Sequence, residues 1–156
     1  ATTEIYTLSL HDALPIYILE ILKENGRTTA SEISREVKLS IPAVSERIRK
    51  LEDSGIIKEY TIRINRDDLG YKLLAIIFVN IGQTANIQSF RNTIIKYPEV
   101  IECHHMAGEY DYMLKVLLKD TTELEDFISM KLKAIKGVEK SNTLVVLSTL
   151  KENMNR

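Results

Sequence analysis

Residues 40–51, SIPAVSERIRKL, set two kinds of side chain at helical spacing. Val44, Ile48 and Leu51 fall at i, i+4 and i+7 and so form one apolar stripe. The opposite face then carries Ala43, Ser45, Glu46, Arg49 and Lys50, with Arg47 at its edge. One side can seat the helix while the other offers small, hydrogen-bonding and cationic groups. That is the chemistry a DNA major groove accepts: cations for phosphates, and forked donors or acceptors for base edges. Charges on a solvated helix face are common, so the weight of this reading rests on the elements around them.

Those elements follow in close order. Thr29 with Glu32 three residues on writes a capping box, and Ile33 and Val37 give the helix it opens an apolar stripe. Lys38 and Leu39 interrupt that helix, and Ser40 can cap the next, with Pro42 in a first turn where a missing N–H costs little. Gly55 reads as the C′ residue that closes it. Residues 56–64, IIKEYTIRI, alternate like a strand and predict a wing. A leading helix with Ile18, Leu19 and Leu22 inward, ending at Asn25-Gly26, completes a winged helix-turn-helix over residues 17–64.

The whole chain sets limits on this reading. Its 156 residues, 44% hydrophobic, are enough for a real core in one domain or two small ones. A protein that coats nucleic acid nonspecifically is usually basic throughout, whereas this chain has a formal net charge of −1, so binding is expected to need a local patch and the pairing of two weak modules. The single cysteine, Cys103, excludes an internal disulfide framework and a cysteine-rich zinc site, and a reducing cytoplasm is the expected setting. No apolar run approaches the ~20 residues of a membrane span. Residues 1–16, ATTEIYTLSLHDALPI, place Pro15 where the leading helix should begin and resemble a translated sequencing adapter. They are expected to be a non-native or unstructured leader.

Beyond a polar linker at residues 65–72, NRDDLGYK, the chain reads strand, helix, strand, strand, helix, strand over residues 73–156. The strands are expected at 73–81, 100–107, 112–118 and 138–150. One helix carries Ile87, Phe90 and Ile94 and stops at Tyr97-Pro98; the other, capped by Asp120 or Thr122, turns Leu124, Phe127, Ile128 and Ile135 inward and ends before Gly137. Such βαββαβ order predicts an α+β, ferredoxin-like sandwich with both helices on one face. Residues 74–79 and 144–147 are apolar at both parities, so the other face needs a cover too. With no third layer left in the chain, a second copy is the expected cover, giving a homodimer through the sheets; packing of the wing unit there is the alternative.

The capped helix pair ending in VSERIRKLEDSGIIKEY, the linker closing on Leu69-Gly70, the turn Gly108-Glu109-Tyr110-Asp111, and Gly137-Val138 followed by Ser141 and Thr143 together resemble the Lrp/AsnC, or feast/famine, family of regulators from about residue 17 onward. The resemblance implies a cytoplasmic, sequence-specific DNA-binding transcription regulator. Its C-terminal domain would dimerise, assemble further, to octamers in many members, and sense an amino acid or similar small effector. It also assigns roles. Ser40, Ser45, Glu46 and Arg49 would face bases or nearby phosphates, Pro42 and Ala43 share that surface, and Arg47 and Lys50 would mainly hold phosphate. Arg47 could instead brace the wing through a salt bridge. The segment Gly108, Glu109, Tyr110, Asp111 would lie near the effector, with Asp111 meeting an ammonium group, though an ordinary hairpin turn remains the other reading.

Other features are weighed against simpler explanations. His104 and His105 are adjacent on a strand, point to opposite faces and cannot share a metal, and Cys103 reads as a packing residue. No cofactor or metal is expected. The acids Glu123, Glu125 and Asp126 begin a helix, where the dipole favours them. Siroheme decarboxylases, enzymes of the same outline, form one rival reading, but their tryptophan-containing segment has no counterpart in a chain without tryptophan. A metabolic sensor subunit that does not bind DNA is the second, and the polar outer face of residues 40–51 argues against it.

Overall fold

A computed structural model of the chain describes residues 13–155 and divides them into two compact units, one of residues 13–63 with 154–155 and one of Ile64–Asn153. The expected leader thus falls mostly outside the described residues. The first unit packs three helices, α1 (Ala13–Glu24), α2 (Ala30–Val37) and α3 (Ile41–Asp53). Helix α1 begins before Tyr17, with Pro15 in its first turn, where no intrahelical partner for its N–H would exist anyway. Ile18, Ile33, Val44 and Leu51 form the buried core of this unit, and Leu22, Val37, Ile48 and Ile57 pack around it.

Local chemistry sets the helix ends. The Thr29 hydroxyl accepts from the Glu32 N–H at 3.2 Å while Glu32 accepts from the Thr29 N–H at 2.7 Å, so two otherwise unpaired donors are met reciprocally. The Thr29 N–H, and after it the Thr29 hydroxyl at 2.8 Å, donate to the Glu32 carboxylate and hold it below its ordinary pKa. Helix α2 ends on Lys38, which takes the left-handed conformation at φ 55°, and Ser40 then caps α3 through the Ala43 N–H at 3.3 Å. Gly55, at φ 74°, follows the Ser54 C-cap.

The expected wing strand is not formed. Residues 56–64 belong to no ladder, and Ile62 is 76% exposed. Alternation supplies the pattern of a strand but not a neighbour to pair with, and an isolated strand in water leaves its backbone to the solvent. One anchor is local: the Tyr60 hydroxyl donates to Glu52 at 2.8 Å, and partial burial together with that bond pushes the phenol up to about 12.

The second unit is a four-stranded antiparallel sheet in the order β2-β3-β1-β4, with β1 Leu73–Ile81, β2 Val100–His105, β3 Tyr112–Leu118 and β4 Val138–Val146. Helices α4 (Ile87–Ile94) and α5 (Thr121–Asp126), the latter continued by a π-helical turn over Phe127–Leu132, complete the βαββαβ order of a ferredoxin-like fold. Ala75, Ile77, Val79, Leu114, Val116 and Leu118 bury one sheet face with Phe90, Ile94, Phe127, Leu132 and Ile135. Asp120 is the cap of α5, accepting from the Glu123 N–H at 2.9 Å.

Two strands are shorter than their sequence pattern. β2 stops at His105, because Met106 turns its N–H to the Asp111 carbonyl at 2.8 Å to open the connection to β3. β4 stops at Val146, and the segment after it crosses the outer sheet face, where Leu74, Lys115 and Val146 line a groove with residues 148–152. Glu152 fixes that crossing by accepting from Lys115 at 2.5 Å and Arg66 at 3.1 Å. The chain therefore supplies a partial third layer that its sequence pattern does not announce. Much of the face stays open, with Leu144 52% exposed.

Candidate nucleic-acid interface

Helix α3 is seated through Val44 and Leu51, both buried, and through half-buried Ile48. Its other side exposes Ser45, Glu46, Arg49 and Lys50, with Ser40 and Pro42 exposed at the N-terminal end and Ala43 half-buried between them. All eight residues expected from sequence therefore sit on or beside α3, seven along its open side. Arg47 is the exception. It is half-buried, and its Nη1 donates to the Ala43 carbonyl one turn back at 3.1 Å. The salt bridge to a wing is not made; Tyr60 and Glu52 provide that brace instead.

The cations of this face are not independent of its acids. Arg49 Nε and Nη2 donate to the two Glu46 carboxylate oxygens at 3.1 and 2.8 Å, and Nη1 donates to Asp53 Oδ2 at 2.9 Å. Lys50 Nζ stands 3.9 Å from Glu46. The fork from Arg49 holds the Glu46 carboxyl below its ordinary range, and the same bond raises the Arg49 guanidinium. Asp53 is absent from the sequence reading, although its i+4 spacing from Arg49 was the available signal.

The turn at residues 106–111 lies at the opposite end of the chemistry. The Asp111 N–H donates to the Val79 carbonyl at 3.1 Å, while Asp111 Oδ2 accepts from the Ile81 N–H at 2.8 Å. Asn80 Nδ2 donates to the Glu109 carbonyl at 3.1 Å. Tyr110 lies against Phe78 with ring centroids 5.4 Å apart, and Lys140 Nζ sits 5.2 Å over the Tyr110 ring and 3.4 Å from Glu109. Gly108, at φ 157°, has open space where a Cβ would stand. Glu109, Tyr110 and Asp111 are thus gathered at the end of β1 with Asn80, Phe78 and Lys140. Those three were not legible as site residues, because strand register brings them to the turn: Val79 pairs with Tyr112 and Asn80 with Lys140.

Nearby β2 shows how its histidines are used. His104 faces Glu102 at 3.1 Å on the outer sheet face, whereas His105 stacks on Tyr112 with centroids 5.0 Å apart and has Arg91 Nη2 3.3 Å from its Nδ1. Cys103 packs on the core, and burial raises its thiol. Among the described residues, no group of three His, Cys, Asp or Glu side chains could hold a metal, and no helix is long and apolar enough to cross a membrane.

A capped helix pair with a polar outer face, followed by a ferredoxin-like sheet unit, defines a two-part DNA-binding regulator. The comparisons agree. Residues 14–58 match the winged helix-turn-helix DNA-binding model, and residues 74–156 match the Lrp/AsnC ligand binding domain. The chain is 36% identical over 135 residues to the HTH-type transcriptional regulator FL11 of Pyrococcus furiosus, covering 86% of this chain and 88% of that one. LrpC of Bacillus subtilis is 36% identical over 118 residues, covering 76% and 81%. Among solved structures, a Neisseria meningitidis transcriptional regulator in complex with L-Met superposes with a TM-score of 0.88 at 32% identity, over 92% of this chain and 94% of that one. Escherichia coli AsnC gives 0.87 at 25% identity, over 92% and 97%. The chain belongs to the Lrp/AsnC family and is a DNA-binding transcriptional regulator of that type.

Proposed function

We propose that the regulator reads double-stranded DNA with the open side of α3, as a homodimer, and that an amino acid or similar small molecule bound at the 106–111 turn adjusts that binding. The observation that carries the DNA surface is the division of α3: Val44 and Leu51 are buried, whereas Ser45, Glu46, Arg49 and Lys50 are exposed on one capped helix. A duplex in the cytoplasm is the partner, and the net charge of −1 makes pairing of two such helices the route to tight binding.

Two supports bear on the remaining parts. The outer sheet face keeps Leu74, Ile76, Phe78 and Leu144 incompletely covered, a self-complementary surface for a second copy, from which larger assemblies such as octamers could be built. The Neisseria regulator in complex with L-Met supports an amino-acid effector, and in this chain Asp111 keeps one carboxylate oxygen, Oδ1, beyond the one bonded to Ile81. Fluorescence anisotropy with labelled fragments of the source genome at low salt tests the DNA reading, and failure to bind any fragment overturns it. Calorimetric titration with each proteinogenic amino acid tests the effector class; absence of heat with all of them removes it.

A further inference from the structure

We infer that Asp53, acting together with Glu46 on Arg49, sets how sharply α3 distinguishes its target from other DNA. The inference rests on the reading of α3 as the DNA-facing helix. Each of the three guanidinium nitrogens of Arg49 donates once within its own helix, two to Glu46 one turn back and one to Asp53 one turn ahead. The three side chains are 47–63% exposed, so this clamp stands on the open face and not in the core.

The consequence follows from how DNA is bound nonspecifically. That binding is driven by cations that neutralise phosphates and release counterions. A guanidinium already matched by two carboxylates brings little charge to a phosphate, which must also approach Glu46 and Asp53. A guanine edge offers something else: O6 and N7 accept a bidentate fork, and the paired cytosine offers an N4 donor to a carboxylate. A G·C pair can therefore take Arg49 and satisfy Glu46 in one step. Asp53 keeps its bond to Nη1 while the Nε/Nη2 edge turns to guanine, so its carboxylate does not oppose that fork but still offsets the charge Arg49 offers to phosphate, and its penalty falls mainly on wrong sequences.

The position of Asp53 argues the same way. It occupies the last turn of α3, where the helix dipole disfavours a carboxylate, so what it gains there comes from its ion pair with Arg49. Its neighbour Glu52 is equally misplaced by that rule but bonds to Tyr60 and does not touch Arg49. Glu52 thus supplies a charge-matched comparison.

The test uses the full chain, a duplex selected from a random pool by the wild-type protein, and a mixed-sequence duplex. D53N is expected to tighten binding to the mixed duplex about two- to fivefold at low salt and to steepen its log-affinity against log-salt slope by about 1. Affinity for the selected duplex rises less, so discrimination falls. E52Q should shift both duplexes alike, and D53N placed on R49A should change nothing further. Equal behaviour of D53N and E52Q, or persistence of the D53N effect without Arg49, overturns the inference. A wild-type protein that selects no duplex at all would instead overturn the DNA reading on which it rests.

Discussion

Arg49 and Glu46 meet across one turn of α3 as a two-point fork, Nε to Oε2 at 3.1 Å and Nη2 to Oε1 at 2.8 Å. The fork depresses the Glu46 carboxyl, so its contribution is present above the ordinary carboxylate pKa and is lost only as pH falls through the lower, folded value. Across neutral and mildly acid pH Glu46 therefore stays ionised, and DNA that takes Arg49 as proposed would have to displace it from this fork. R49A is therefore expected to weaken the selected duplex about 10- to 100-fold and to relax preference at a single base position. Binding arrays over single-base variants check this. An equal loss on every sequence would place Arg49 on phosphate instead.

Asp111 offers a cleaner separation of fold from ligand. Its Oδ2 accepts the Ile81 N–H at 2.8 Å, a bond that an amide oxygen can also accept. D111N should keep the turn and the thermal midpoint close to wild type while removing the charge that would hold an ammonium group. Calorimetry with whichever amino acid binds the wild type should then show a loss of at least about tenfold, since charged hydrogen bonds are worth ~1.5–3 kcal/mol. Unchanged affinity would move the ammonium contact elsewhere.

Gly137 joins the end of the second helical segment to β4 at φ 97°, and a Cβ there would stand 2.5 Å from the Asn86 Cβ. Asn86 is itself buried, on the 3-10 turn (Thr84–Asn86) that leads into α4, so neither partner can swing away. G137A combines left-handed strain with overpacking and should cost roughly 2–4 kcal/mol in urea unfolding. A loss below ~1 kcal/mol would mean that the 3-10 turn yields.

What the sequence announces, and what it leaves silent, divides along physical lines. Caps are local, so Thr29, Ser40 and Asp120 could be read from side chains that reach only three residues ahead. β1 and β3 were legible because both lie in the sheet interior, where alternate residues are buried from Leu73 to Val79 and from Tyr112 to Leu118. The wing was misread for the complementary reason: IIKEYTIRI has the alternation but no strand beside it. The ends of β2 and β4 depend on where the chain departs for Asp111 and for Lys115, which are distant partners. Asp53 was legible in principle by its spacing from Arg49, whereas Lys140 reaches the turn only through strand register.

The Thr29 cap predicts its own cost. T29A removes the acceptor for the Glu32 N–H and the hydroxyl that donates to the Glu32 carboxylate, leaving only the backbone half of the box, so α2 should lose about 1 kcal/mol. T29S, which keeps the oxygen, should recover most of it. Thermal unfolding of both variants measures the difference, and equal destabilisation would show that the Thr29 methyl, not its hydroxyl, matters.

Lys115 and Glu152 tie the segment after β4 to the outer sheet face, and the pH dependence of that tie has a definite sign. Its bond to Glu152 is the main reason the Lys115 ammonium is raised, so its stabilisation is complete below the ordinary lysine value of about 10.4 and is lost as pH rises through the higher folded value. On the acid side Glu102, lowered first by His104 and also by Lys115, lets go only as pH falls through its depressed pKa. The network therefore holds through the neutral range. E152Q breaks the charge pairs to Lys115 and Arg66 together and should cost about 1 kcal/mol. Hydrogen exchange should quicken over residues 148–152 while α2 and α3 keep their protection. If exchange in that segment is unchanged, the crossing is held by its apolar contacts with Leu74 and Val146, and the ion pairs merely follow it.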